Sequence, residues 1–181
     1  MGHLHSLAQV DNNPNAVYAD TDISRAMAFW HTLCGDIVDP DFDSKDPYRR
    51  VDDAEDLVKY KKWRECYITS NFSRCNRAVD CYYKTFYCVS ALRRFVVTGK
   101  GYFGWAPEEV KEGDLVVVLP GGRVPYVLRL VSCTDTGDAS GHSPSKHYNI
   151  LGDAYIHGIM DGEAFDMYGK AGKELEEIIL V

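Results

Sequence analysis

After Leu92 the hydrophobic period of the chain changes from helical to alternating, and this switch limits the fold more than any other feature of the sequence. Upstream of it, Phe72, Cys75, Val79, Tyr82 with Tyr83, Phe86 and Val89 recur at three-to-four spacing, which predicts a long amphipathic helix starting near Ser70. Downstream, Phe95-Val96-Val97, Tyr102-Phe103-Gly104-Trp105, Leu115 to Leu119 and Val124 to Val131 are short apolar runs. They are separated by Thr98-Gly99-Lys100-Gly101, Glu112-Gly113-Asp114 and Pro120-Gly121-Gly122-Arg123, so each run reads as a strand between turns. Pro125 cannot donate to a ladder and belongs at a strand start or an edge. His147 to His157 reads as a further strand with a bulge at Gly152-Asp153, and the polar stretch from Thr134 to Lys146 reads as a surface loop. Several short strands favour closure, because closure removes exposed edges. The expected fold class is therefore α+β: a small antiparallel β barrel of about five to six strands with about three N-terminal helices packed on it.

The helices precede the barrel. Ile23, Met27, Trp30 and Leu33 with Cys34 predict one from Thr21 or Asp22 to Gly35, where glycine ends it. A second follows Val51, with Asp52 and Asp53 at the positive end of its dipole and Leu57, Tyr60, Arg64 and Tyr67 on one face. Between them, Asp36 to Arg50 carries two prolines and five aspartates and reads as an exposed connection. The chain of 181 residues is expected to be a single domain. It divides into a loose arm (1–20), a helical part (21–92) and a barrel part (93–181), and its β-branched end is expected to be a last strand.

Charge and cysteine usage narrow the partners. With 27 acidic and 20 basic side chains the formal charge is -7, which argues against nucleic acid. There is no basic segment followed by an apolar run at the start, and no stretch of the ~20 apolar residues that would span a bilayer, so no membrane partner and a cytoplasmic setting are expected. Six cysteines occur without a Cys-x-x-Cys pair and read as reduced thiols. Neither a metal nor a cofactor is expected.

Five ordered blocks carry a family likeness: Arg93 to Thr98, Gly101 to Gly104, Glu112 to Val116, Gly121 to Arg129 and Gly152 to Glu163. Together they resemble the C-terminal barrel region of fungal heterokaryon-incompatibility (HET-domain) proteins, and Ala28 to Leu33 resembles a helix found upstream in that family. The resemblance implies a fungal source. Members usually carry an N-terminal HET domain, for which this chain has no room, so the activity of that domain is not implied.

Chemistry concentrates at the end of the barrel part. His157, Asp161 and Glu163 lie within seven positions, and Tyr155 projects to the side of His157 under a period of two. A histidine beside carboxylates is ordinary material for proton transfer. The same residues also suit a glycine corner, in which they hydrogen-bond free backbone groups. Tyr102, Trp105 and Tyr126 are candidate walls of a pocket for a small hydrophobic ligand, with Arg123 and Arg129 as candidate polar contacts. Arg129 alternates with Leu128 and Leu130 and is expected to pair with Asp114 or Asp153. The leading expectation is a non-catalytic recognition module binding a protein partner or a small ligand. The alternative is a small stand-alone enzyme of isomerase, cyclase or dehydratase type, set in fungal secondary metabolism, with Tyr155, His157, Asp161 and Glu163 as its acid–base set.

Overall fold

A computed structural model describes residues 2–19, 21–39, 48–69, 77–134, 145–172 and 175–181. Positions 70–76, with Phe72 and Cys75 of the helical stripe, lie outside these residues, as do 40–47 and most of the expected surface loop. The elements run α1 (Gly2–Leu7), α2 (Arg25–Cys34), β1 (Ile37–Val38), β2 (Arg49–Arg50), α3 (Asp53–Thr69), α4 (Arg77–Ser90), β3 (Arg93–Val97), β4 (Phe103–Pro107), β5 (Leu115–Val117), β6 (Tyr126–Thr134), β7 (Ser145–Asp153), β8 (Tyr155–Ile156), α5 (Glu163–Lys170) and β9 (Ile179–Leu180).

The chain is a mixture of α and β as expected, but no closed barrel forms among the described residues. The strands make a two-stranded sheet β1-β2, a three-stranded sheet β3-β4-β8 and a four-stranded sheet β5-β6-β7-β9. Chain continuity through Ala154 explains the division. It carries the strand from pairing with β6 to pairing with β4, so β7 and β8 join two sheets at a bend. Bulges increase local twist, and β6–β7 has two. Val127 faces Gly152 and Leu128 faces Ile150, which leaves Leu151 extra, while Val131 is extra between Leu130 and Ser132. The outer strand β5 is three residues long, with Leu115 exposed and Val116 and Val117 half-buried, so the strand expected over Leu115 to Leu119 is shorter and lies at an edge.

The helices pack as an aromatic layer against β3 and β4. Trp105 Nε1 donates to Thr32 O at 2.7 Å, tying β4 to α2, and Tyr82 Oη donates to Trp30 O at 2.9 Å, tying α4 to α2. Phe29, Trp30, Trp63, Tyr82, Phe95, Phe103 and Trp105 are all buried in one cluster. Ser24 Oγ, rather than Thr21 or Asp22, accepts the Met27 amide as the cap of α2. Gly35 ends the helix with φ 65, a left-handed conformation that glycine adopts without a Cβ penalty. On α3 the buried face is Asp56, Tyr60, Trp63 and Cys66, and Tyr67 is exposed. Asp56 is tolerated there because Arg49 donates to both its oxygens at 2.7 and 3.0 Å and Lys59 donates at 3.0 Å.

The N-terminal segment departs from the expected loose arm. Ala8 and Tyr18 are fully buried and Val10 nearly so, because these side chains cover the edge of the aromatic core. Tyr18 Oη accepts the Phe103 amide at 2.7 Å and donates to His157 O at 2.9 Å. That single hydroxyl fixes the N-terminal segment to the end of β4 and to the turn after β8. Among the described residues no helix is long and apolar enough to cross a membrane.

Candidate functional site

The C-terminal turn of α2, the first turn of α3 and the turn after β8 meet around an open cleft of about 640 Å³. Ile23, Val51 and Ala54 supply apolar wall, and His31, Asp36, Asp52, Asp53 and His157 supply its polar groups. Each arrives for a local reason. His31 sits in the last turn of α2, where a cation complements the dipole, and Asp53 opens α3, where an anion does. Asp36 follows the Gly35 cap with φ 59. Asp52 Oδ1 accepts the Ala54 and Glu55 amides at 2.9 and 3.0 Å, which caps α3.

His31 is clamped between two carboxylates. Its Nδ1 lies 2.6 Å from Asp36 Oδ1 and its Nε2 lies 2.7 Å from Asp53 Oδ1. Burial alone would lower its proton affinity, but the bonds and charges of Asp36 and Asp53 outweigh it and hold the imidazole above its ordinary 6.5. Asp36 responds in the opposite sense. Burial would raise it, and bonds from His31 and from Arg50 Nη1 at 2.8 Å hold it below the usual carboxylate value.

His157 is the counterpart with opposite tuning. Its ring centroid is 5.3 Å from that of His31, and its Nδ1 is 2.9 Å from Tyr155 Oη. Burial, and then the positive charge of His31, push His157 down to about 4. Burial likewise pushes the Tyr155 phenol well above its ordinary 10.0. The cleft thus favours the charged form of His31, which has a carboxylate on each ring nitrogen, beside a neutral His157 and an un-ionised phenol.

The expected site residues separate into groups. Tyr155 and His157 are brought together. Asp161 instead pairs with Arg50 Nη2 at 2.6 Å, and Glu163 Oε2 accepts the Asp161 amide at 2.7 Å, which is the glycine-corner role. Tyr102 and Trp105 are core residues, Tyr126 begins β6 half-buried, and Arg123 is exposed in its turn, so none of the four lines the cleft. Arg129 forms a two-pronged pair with Asp114, at 2.9 and 2.7 Å. His31, Asp36 and Asp53 were not singled out by the sequence. The local signals are a helix-ending His-x-x-x-Gly-Asp run for His31 and Asp36 and the acidic start of α3 for Asp53, and the meeting of the two is a tertiary event. Among the described residues no group of three or more His, Cys, Asp or Glu side chains is placed to hold a metal.

The sequence matches the family described as the Het-6 beta-barrel domain over residues 72–174, more than half of the chain. It is also similar to heterokaryon incompatibility protein 6, OR allele, of Neurospora crassa, with 40% identity over 74 residues. Those residues are 41% of this chain and 10% of that protein, so the match spans about a tenth of the relative's length. No solved structure matches the chain.

Proposed function

Because this chain belongs to the Het-6 beta-barrel domain family, we propose that it is a recognition or ligand-binding module of fungal heterokaryon incompatibility, acting without catalysis through the cleft beside His31 and His157. One observation carries the non-catalytic part. The carboxylates that acid–base work would use are already engaged: Asp36 and Asp53 with His31, Asp161 with Arg50, and Glu163 with a backbone amide. Carboxylates held in this way fix the walls of the cleft, whereas a general base must itself lie within hydrogen-bond reach of the bound molecule's proton. The relative's name attaches it to heterokaryon incompatibility, and shared family supports the same setting here. The test is a forced heterokaryon between two otherwise identical fungal strains, one expressing the chain and one lacking it. Slowed growth of the fused cells is expected, and growth equal to that of the self-fusion would overturn the proposal.

A second reading, the small cofactor-independent enzyme, keeps one observation in its favour. The Tyr155 hydroxyl and His157 are in hydrogen-bond contact at 2.9 Å beside an open cleft, and paired groups tuned apart are common at acid–base sites. Turnover of a small molecule by the purified chain, abolished by His157→Gln with the fold retained, would favour it over the first.

A further inference from the structure

We infer that His157 is fixed as the tautomer carrying its proton on Nε2, and that it offers this N–H to the uncharged carbonyl oxygen of a small amide or ketone ligand in the cleft. The inference deepens the reading of the cleft as a binding site and rests on it. The hydrogen-bond inventory of Tyr155 leads to it. A phenol is a donor as well as an acceptor, and leaving a part-buried donor without an acceptor is unfavourable. Among the described residues the hydroxyl has one hydrogen-bond partner, His157 Nδ1 at 2.9 Å. If Nδ1 carried the proton it would donate to the phenol oxygen, and the phenol proton would have no acceptor among the described residues. If Nδ1 is bare it accepts that proton, and the imidazole proton of the neutral ring stands on Nε2. The backbone holds the ring in place, since His157 N–H donates to Phe103 O at 2.9 Å and His157 O accepts from Tyr18 at 2.9 Å. Among the described residues Nε2 has no hydrogen-bond partner, and the ring forms part of the cleft wall.

The surroundings select what that N–H can meet. An anion would face Asp36, Asp52 and Asp53, while the compensating charge of His31 is held between two of them. A bare cation would be drawn by the carboxylates but has no lone pair to accept the Nε2–H. An uncharged carbonyl accepts from Nε2–H without facing a like charge, and Ile23, Val51 and Ala54 suit the carbon atoms on either side of it.

The test uses the full chain labelled with ¹⁵N in its histidines and backbone. A long-range proton–nitrogen spectrum at pH 7 reads the tautomer of His157 directly, with Tyr155→Phe as the variant that frees Nδ1. N-methylacetamide and sodium acetate are then titrated as probes. The expected result is Nε2–H in the wild type, loss of the fixed pattern in the variant, and signals of His157 and Val51 to Ala54 that move with the amide at a concentration at least about tenfold below that needed for acetate. A proton on Nδ1, acetate acting at the lower concentration, or no response to the amide would each overturn the inference. If the tautomer and the amide response hold but the heterokaryon test fails, the ligand chemistry stands and the recognition role falls. If the reverse is found, only the ligand chemistry falls.

Discussion

Replacing His157 with glutamine should flatten the acid limb of the stability curve. Folded, this imidazole sits near 4 against an ordinary 6.5, so between those pH values the unfolded chain takes up a proton that the folded chain refuses. The stability held by its neutral form is complete above 6.5 and is lost as the pH falls toward 4. At ~1.4 kcal/mol per tenfold change in proton affinity the whole loss is ~3 kcal/mol, which we reduce to ~2 kcal/mol because the ring borders an open cleft. The neighbouring groups have other signs or windows. His31 is raised, so its contribution is complete below 6.5 and is lost only as the pH rises through its folded value. Asp36, Asp56 and Asp114 are held below their ordinary 3.8, so their contributions persist until the pH falls beneath that value. His5 is lowered by burial and acts in the same window as His157, which makes the comparison with the variant necessary. Urea unfolding followed by fluorescence of the buried Trp30, Trp63 and Trp105 at pH 7.5 and pH 5 measures the difference. The wild type should lose ~1–2 kcal/mol more than His157→Gln over that interval. Equal losses in the two proteins would show that His157 does not set the acid limb.

Three further outcomes follow from named contacts. Tyr18→Phe keeps the ring but strands the Phe103 amide and leaves His157 O without its donor, so unfolding by urea should show a loss of ~2 kcal/mol with the slope unchanged. Asp56→Ala removes the acceptor of Arg49, Lys59 and the Asp52 amide from a fully buried position and should cost about 3 kcal/mol by the same assay. A Cβ at Gly104 would overlap Tyr155 O and Ile156 Cδ1, so Gly104→Ala should separate β8 from β4, seen as faster amide exchange at His157, whose N–H donates to Phe103 O.

Much of the order of elements was legible because it is local. The change of period at Leu92 marks the junction of α4 and β3, and the glycine turn after Val97 gives the β3–β4 hairpin with Val97 facing Phe103. The bulge beside Gly152 and the Arg129–Asp114 pair follow from alternation in the same way. Tertiary accounting decides the rest. The buried side of α3 includes Asp56, which a hydrophobic pattern cannot select because Arg49 and Lys59 neutralise it from outside that pattern. The polar N-terminal segment hides Ala8, Val10 and Tyr18 among turn residues, and their burial depends on the aromatic core they join, Tyr18 at Phe103 of β4. The candidate site divides likewise. Tyr155 and His157 share a side two residues apart, whereas His31 and Asp53 are 22 positions apart and meet only when α2 and α3 pack.

Recognition through the cleft is tested by Ala54→Trp. Ala54 is exposed on the cleft wall, so tryptophan there fills the space while leaving His31, His157 and the aromatic core in place. Expressed at the wild-type level and with unchanged urea stability, the variant should lose the growth defect of the forced heterokaryon. A defect as strong as that caused by the wild-type chain would contradict the claim.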